Sequence, residues 1–302
     1  MLNRFEAYLI KTEYSETTIS GYCRIVEKFL NWCKRNSIEL ESLDYDTWMK
    51  YHRRIKNKTT RKRLKLKDNS VKQHIGILRL FFNFLILEDV LTVNPIGETE
   101  YKDNSKFFHN ALSKDELEDL YHRFPTENLS HPKCPSAAIR NKVILGLSIF
   151  QGIDCTTLKR MKVSNIDLNR GEIYIPSTRR SNSRTLNLDA RQMIVLMQYL
   201  ENHRPILQKK IKCYTEALFP LNTPRFSIIT GDISKKLRRL NLRVTNLKQI
   251  RHSVIKCWTK ELDLRKVQIM AGHRYISSTQ KYIDDNKKKL YEATKRCHPM
   301  CQ

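Results

Sequence analysis

Apolar side chains recur at helical spacing through the first hundred residues of this chain. Two long stripes each fit one face of a helix, and they consist of Ile19, Tyr22, Val26, Phe29, Leu30 and Cys33, and of Val71, Ile75, Leu78, Phe82, Leu85 and Ile86. Shorter stripes around Phe5 and Trp48 predict two further helices, and Asn94-Pro95 ends the last of the four. Because each helix must bury its apolar face against the others, residues 1–100 are predicted to form a compact helical bundle.

A polar, aperiodic stretch follows the bundle and predicts a boundary between two domains. We place a linker at residues 101–112, because Ser113 and Glu116 then form the pattern of a capping box in front of an apolar run. The second domain is expected to span residues 113–290, and residues 291–302 are expected to form a tail.

The second domain combines helices with one short hairpin. Residues 137–150 form a strongly apolar helical segment, and a short helix is expected over residues 156–161. Residues 172–176 and 184–188 have the composition of strands, and the polar residues between them predict a hairpin turn. The predicted fold class is therefore mainly α with a small β-hairpin or sheet (α+β).

The balance of charge indicates the class of partner. The formal net charge is +25, from 56 Lys and Arg against 31 Asp and Glu, and a folded chain this basic is expected to bind a polyanion. No run of 18 apolar residues exists, and the N-terminus has no signal-peptide core, so we expect no membrane partner and a cytoplasmic, nucleoid-associated location. No acidic cluster that would bind a metal is visible, and no cofactor is expected.

The densest positive charge lies between the third and fourth predicted helices. Residues 53–67 contain nine Lys or Arg and no acidic residue, and the charge continues onto the next helix. A solvated loop is one explanation, but a basic loop that leads into a basic helix face suits contacts with DNA phosphates. The predicted DNA contacts here are Arg53, Arg54, Lys56, Lys58, Arg61, Lys62, Arg63, Lys65 and Lys72.

The last quarter of the chain contains an Arg, a His and a Tyr in a distinctive order. Arg251 lies in Lys-Gln-Ile-Arg-His-Ser, His273 follows Ala-Gly, and Tyr282 follows Ser-Thr-Gln-Lys, at spacings of 22 and 9 residues. A tyrosine can act as a covalent nucleophile when nearby cations stabilise the charge that develops on its target, and a phosphodiester is the obvious target for a basic chain. A surface tyrosine, a core histidine and an ion-paired arginine are the ordinary alternatives.

This order resembles the tyrosine recombinases of the phage-integrase family, which read His-x-Leu-Arg-His-Ser, Leu-Gly-His, Thr-Thr and Tyr over the same stretch. The resemblance covers about residues 3–290. It implies a helical core-binding domain and a catalytic domain that form a C-shaped clamp on double-stranded DNA, with self-assembly into dimers or tetramers. It also implies that Tyr282 is the nucleophile, that Arg251 binds the scissile phosphate, and that His273 contacts a nonbridging oxygen or positions the tyrosine.

Three positions depart from the family pattern. Lys248 replaces the first His of the motif, and it is a candidate for an extra cation or for an acid or base. The hairpin, whose family lysine protonates the leaving 5′ oxygen, has Arg179 and Arg180 instead; Arg179 is the candidate for catalysis and Arg180 for DNA contact. Asp154 stands where the family has its first phosphate-binding arginine, and we expect it to be an N-cap of the short helix that follows.

The sequence therefore predicts a metal-independent DNA strand transferase that integrates or rearranges a mobile element through a 3′-phosphotyrosyl intermediate. Its expected partners are the element ends and a target site on double-stranded DNA. The main alternative is a catalytically impaired relative that binds DNA as an accessory or regulatory factor, which Asp154 and the missing hairpin lysine favour. A relaxing topoisomerase and a helix-turn-helix repressor are further alternatives.

Overall fold

The computed structural model describes residues 1–58, 65–97, 110–126, 135–179, 181–221 and 226–283. The chain divides into two compact units, Met1–Ser105 and Lys106–Gln302. The predicted DNA contacts Arg61, Lys62, Arg63 and Arg180 lie outside the described residues, as does the predicted tail.

The first unit is a bundle of four helices, as its apolar stripes predict. These are α1 (Leu2–Lys11), α2 (Glu16–Arg35), α3 (Tyr45–Asn57) and α4 (Asp68–Leu87). The stripes of α2 and α4 meet in an aromatic core, where the Phe29 ring packs edge-on against Phe82 with 5.3 Å between centroids. Burial of each such ring contributes about 1.5–3 kcal/mol to stability.

The second unit is built around one buried helix, α6 (Pro135–Phe150). Its other helices are α5 (Lys114–His122), α7 (Cys155–Arg160), α8 (Ala190–Gln198), α9 (Arg204–Ile211), α10 (Phe226–Leu240), α11 (Leu247–Glu261), α12 (Leu264–Ala271) and, over residues 276–283, α13. The predicted capping box is confirmed, because Ser113 accepts from the Glu116 N–H and Glu116 accepts from the Ser113 N–H. Helix α6 is buried along most of its length, which explains why its sequence is apolar on all sides.

A three-stranded antiparallel sheet with the order β1-β2-β3 completes the second unit. Its strands are β1 (Ile166–Asp167), β2 (Glu172–Ile175) and β3 (Arg184–Asn187), so the predicted hairpin is confirmed, although each of its strands is one residue shorter than predicted. The two-residue strand β1 was not predicted, since two residues are too few to show an alternating pattern. Ile175 faces Arg184 across the hairpin, and both side chains are buried.

Two general features of the described residues follow from these elements. No helix among them is long and apolar enough to cross a membrane. Likewise, no group of three or more His, Cys, Asp or Glu side chains in these ranges could bind a metal ion.

Candidate active site

Arg251 is fixed on α11 by contacts with two backbone segments. Its Nη2 donates to the carbonyl of Ala271 at 2.8 Å, and its Nη1 donates to the carbonyl of Gly152. The guanidinium therefore lies between the end of α12 and the loop that follows α6. This position leaves part of its five-donor fork available for a ligand.

Asp154 is the N-cap of α7, which confirms the prediction from sequence. One carboxylate oxygen accepts from the N–H groups of Thr156 and Thr157 at 2.9 and 3.0 Å, and the other accepts from the Thr157 hydroxyl at 3.0 Å. Burial raises the pKa of Asp154, but the hydrogen bonds from Thr157 and the charge of Arg251 outweigh burial, so the pKa lies below its ordinary value. A negative charge therefore stands next to Arg251.

Tyr282 is buried, contrary to the alternative of an ordinary surface tyrosine. Tyr282 belongs to α13 and is only 5% exposed, because its side chain packs against an apolar cluster of Ile255, Val267 and Ala271. Burial raises the pKa of the Tyr282 hydroxyl to about 12, and the charge of Arg251 opposes this rise only in part. The hydroxyl is therefore protonated at neutral pH and must lose its proton to become a nucleophile.

His273 follows Gly272, the C-cap of α12, and stacks on the tyrosine ring. Its ring centroid is 6.0 Å from that of Tyr282, with 22° between the planes, and its Nδ1 lies 2.9 Å from the hydroxyl of the buried Thr279. Burial, with the charges of Arg251 and Arg184, lowers the pKa of His273 to about 4, so the ring is neutral near pH 7. Since Thr279 engages Nδ1, Nε2 is the nitrogen that can reach a substrate.

His252 is a site residue that the sequence analysis missed. Its Nδ1 lies 2.9 Å from the Tyr282 hydroxyl, although 30 residues separate the two in sequence. Burial lowers the pKa of His252 to about 4, and the charges of Lys248, Arg251 and His273 add to this effect. The residue is part of the Arg-His-Ser motif, but nothing in the sequence indicates which side chain its ring faces.

Arg184 is a second residue that the sequence assigned only to a strand. It is 6% exposed, and its Nη1 makes one long contact, 3.5 Å, with the carbonyl of Asn182. Its Nε and Nη2 are buried and have no hydrogen-bond partner among the described residues. Burial lowers the pKa of Arg184 to about 10, the charge of Arg251 adds to the fall and Asp154 opposes it, so the three charges are close neighbours.

Family models cover most of the chain. Residues 110–289 match the phage integrase family, and residues 2–89 match the phage integrase N-terminal SAM-like domain. This protein belongs to the phage integrase family of tyrosine recombinases. The resemblance in the sequence is thereby confirmed.

Individual relatives agree with this membership. The tyrosine recombinase XerC of Anoxybacillus flavithermus is 28% identical over 308 residues, which cover 99% of this chain and 97% of the relative. The XerH site-specific recombinase, solved on a palindromic difH substrate after cleavage, has a TM-score of 0.70 at 17% identity and covers 92% of this chain and 79% of its own. The Tn1549 transposon integrase, solved in complex with a circular intermediate DNA, has a TM-score of 0.67 at 13% identity, and the match covers 97% of this chain and 99% of the integrase chain. At these identities the two solved structures show a common fold.

The remaining candidates of this family member lie at its surface. Lys248 is exposed, one turn before His252 on α11, and its charge acts on that histidine. Arg179 is exposed in the hairpin turn, next to the bridge between Ser181 and His273 that joins the hairpin to the active-site loop. The structure thus brings Arg251, His273 and Tyr282 together and leaves Arg179 at the edge of the hairpin.

Two cations of the basic stretch lie at a cavity of about 230 Å³ in the recombinase's first unit. Arg54 and Lys58 line it from the end of α3, together with Lys28 and Arg35 of α2. Burial lowers the pKa of His74, another lining residue, and the charges of Lys28 and Lys58 lower it further. Of the other predicted contacts, Arg53, Lys56 and Lys65 are exposed, and Lys72 is half-buried.

Proposed function

We propose that this protein cuts and rejoins DNA strands at specific sites through a covalent bond between Tyr282 and a 3′ phosphate. The observation that carries the proposal is the meeting of the Tyr282 hydroxyl, the ring of His273 and the guanidinium of Arg251 in one place. Family membership gives the reaction class, DNA strand exchange, and this geometry supports retained catalytic competence.

The phosphate site would stabilise charge on the nonbridging oxygens of the scissile phosphate. Arg251 supplies a guanidinium that two backbone carbonyls already orient, so little ordering is needed when DNA binds. His273 supplies Nε2 as a donor in the tautomer that protonates this nitrogen, and Thr279 fixes the ring. Such donors stabilise the transition state because charge collects on these oxygens as the tyrosine attacks.

Departure of the 5′ oxygen requires a proton, and the family lysine of the hairpin is absent here. Lys248 is the candidate acid, because it is exposed beside the tyrosine's neighbour His252 and an ammonium carries three donors. Arg179 would neutralise charge near the cleaved strand but is a poor acid, because arginine keeps its proton up to about pH 12.

The active site is proposed to be atypical, since an aspartate replaces one phosphate-binding arginine. Loss of one such donor costs roughly 3 kcal/mol of transition-state stabilisation, which would slow the reaction without abolishing it. Asp154 caps α7 and lies close to Arg251, where its negative charge would repel a DNA phosphate. This charge is the observation that favours the alternative of an impaired DNA-binding accessory factor.

The DNA partner is proposed to be a duplex that both units contact. In the first unit, the exposed cations Arg53, Arg54, Lys56, Lys58 and Lys65 suit phosphate contacts, which supply affinity without sequence information. Assembly of two or four copies on DNA and integration of a mobile element stay predictions. The two solved structures of this fold are bound to a palindromic difH substrate in one case and to a circular intermediate DNA of a transposon in the other.

Covalent capture tests the proposal and also identifies the substrate. Adducts trapped in cells that express the protein would be purified, and the attached DNA would be sequenced. A duplex of the captured sequence, nicked beside the cleavage position, would then be incubated with wild type and with Tyr282→Phe. An adduct with wild type alone supports the proposal, whereas specific DNA binding without any adduct favours the accessory factor.

A further inference from the structure

We propose that His252 is the general base that removes the proton from the Tyr282 hydroxyl. The inference rests on the proposed cleavage reaction and assigns a group that the reaction needs. Its geometric basis is the contact between His252 Nδ1 and the Tyr282 hydroxyl, at 2.9 Å. This distance lies within the range of about 2.6–3.2 Å in which a base can take a proton directly.

The surroundings of His252 favour the form that accepts a proton. Lys248 and Arg251 on its own helix, His273 beyond α12 and Tyr282 on α13 are the charged and titratable groups that face it. Burial, together with the charges of Lys248 and Arg251, keeps the imidazole neutral. In the tautomer that carries the ring proton on Nε2, the phenol donates its O–H to Nδ1. An arriving phosphodiester brings negative charge, which stabilises the imidazolium that forms during the reaction.

Neither neighbour is as well placed to act as the base. His273 Nδ1 is engaged by Thr279, and its ring stacks on the tyrosine ring. Lys248 is exposed, and an ammonium has no acceptor. The Nδ1 of His252 lies at hydrogen-bond distance from the Tyr282 hydroxyl, and α11 holds both His252 and Arg251.

The proton balance of the cleavage step is as follows. The Tyr282 oxygen forms a bond to phosphorus while the bond from phosphorus to the 5′ oxygen breaks. The phenol proton moves to His252 Nδ1, and the 5′ oxygen takes a proton from an acid, for which the Lys248 ammonium is the candidate. In rejoining, the 5′ hydroxyl attacks the phosphotyrosine and gives its proton back to the Lys248 amine, while the His252 imidazolium returns its proton to the Tyr282 oxygen as the bond from that oxygen to phosphorus breaks.

Single-turnover cleavage of the captured duplex by His252→Asn tests this assignment. The asparagine amide reproduces the position of Nδ1 and can accept a hydrogen bond, but it is not a base. We expect a fall of roughly 10²–10⁴-fold in cleavage rate, with unchanged DNA affinity. His252→Ala should be equally slow and should recover with added imidazole, faster with more basic imidazoles. His122→Asn, at an exposed histidine on α5, is the matched control and should cleave like wild type.

A substrate with sulfur in place of the bridging 5′ oxygen separates base from acid, because a thiolate leaves without a proton. His252→Asn should stay slow on this substrate. Full recovery on sulfur would make His252 the acid and overturn the proposal, as would a His252→Asn rate within about threefold of wild type on the normal duplex. If His252→Asn fails to fold, the cleavage rate of His252→Ala with added imidazoles tests the proposal instead. A rate that does not depend on the basicity of the imidazole would contradict the proposal.

If wild type itself forms no adduct with DNA, both the proposed function and this assignment fail.

Arg184 carries a second inference from an independent observation. We infer that Arg184 supplies positive charge to the phosphate site in place of the arginine that Asp154 replaces. Its guanidinium is buried beside Arg251 and Asp154, with Nε and Nη2 unpartnered among the described residues. A buried cation with unmet donors is costly, so a nearby negative charge must offset it. Asp154 does so only at a distance, since no ion pair within 4.0 Å joins the two among the described side chains.

A neutral substrate distinguishes a charge role from a structural one. Replacement of the scissile phosphate by a methylphosphonate removes the negative charge that Arg184 is inferred to stabilise. Arg184→Met should be roughly 10²–10³-fold slower than wild type on the phosphate duplex and equal to wild type on the methylphosphonate. Arg184→Lys should keep most of the activity. Arg170→Met, at an exposed arginine, is the control.

Equal defects of Arg184→Met on both substrates would indicate a structural role and overturn the inference. The Arg184 guanidinium makes one hydrogen bond of 3.5 Å, and two of its nitrogens have no partner among the described residues, so Arg184→Met removes few contacts and is expected to fold. If it does not, Arg184→Lys decides: a defect of 10²-fold or more in that folded variant contradicts a role of charge.

Discussion

The backbone N–H of Asn182, in the hairpin, donates to the carbonyl of Gly272 at 2.9 Å. This bond belongs to an antiparallel β-bridge between Ser181 and His273, so backbone pairing joins the hairpin to the active-site loop. Within it, the Arg184 side chain lies against Gly272, whose φ of +69° is in the left-handed region. Glycine is required here for two reasons, since a Cβ would be strained by φ and would overlap the guanidinium.

Gly272→Ala is therefore expected to destabilise the protein. The left-handed backbone alone costs an alanine about 1–2 kcal/mol, and the displaced Arg184 adds to this. Gly231→Ala is the matched control, because Gly231 lies inside α10 with open space around it, and alanine there should stabilise by about 0.5–1 kcal/mol. Urea unfolding of the three proteins measures both effects, and equal midpoints for Gly272→Ala and wild type would contradict the contact.

Asp154→Asn should preserve the cap of α7 and increase cleavage. Asparagine caps helices as well as aspartate does, so any loss in the free energy of unfolding should come from removing the charge that offsets buried Arg184 and Arg251. Removal of the negative charge beside Arg251 leaves more positive potential for the phosphate, and single-turnover cleavage should rise several-fold. Asp154→Ala, which also removes the cap, should lose about 1 kcal/mol more than Asp154→Asn. Slower cleavage by Asp154→Asn would show that the carboxylate orients Arg251.

Lys248→Met should slow cleavage without affecting folding, because the side chain is exposed. If Lys248 protonates the 5′ oxygen, the variant should be slow on the normal duplex and recover on the duplex with bridging sulfur. His252→Asn, by contrast, is expected to stay slow on the duplex with bridging sulfur. The measurement is the single-turnover cleavage rate of both variants on both duplexes. If Lys248→Met stays slow on the duplex with bridging sulfur, Lys248 is not the acid.

The free energy of unfolding should decrease as the pH is lowered from about 6.5 to about 4. His252 and His273 have an ordinary pKa of 6.5 that the fold lowers to about 4, so the unfolded state binds more protons in this window. Their contribution is complete above pH 6.5 and is lost as the pH falls through 4. Urea unfolding at a series of pH values should show this loss, with a shallower slope for His252→Asn. An identical slope in that variant would contradict the burial of a neutral imidazole.

Removal of cations from the end of α3 should weaken DNA binding in a salt-dependent way. If Arg53 and Lys56 each contact a phosphate, replacement of both by alanine should reduce the slope of log K against log salt by about 1.8, at about 0.9 per contact. Lys11, on α1 outside the basic stretch, provides the control substitution. An unchanged slope in the double variant would favour the solvated-loop explanation.

Local patterns in the sequence were sufficient to predict much of the fold. The helices of the bundle, the capping box at Ser113, the hairpin and the cap at Asp154 depend on hydrogen bonds and apolar spacing within a few residues. The strand β1 was missed because it exists only through its pairing with β2. His252 and Arg184 were missed because a motif gives residue types without giving the direction of a side chain.

The amino-acid pattern was enough to predict the helical bundle, the hairpin and the order of Arg251, His273 and Tyr282. It could not show that His252 meets the tyrosine hydroxyl or that Arg184 is buried beside Arg251 and Asp154, which depends on the folded chain. Burial and charge proximity follow from the packing of α11, α13 and the hairpin, which are distant in sequence. The same packing sets the pKa values, so the protonation states of the site follow from the fold and not from any local pattern.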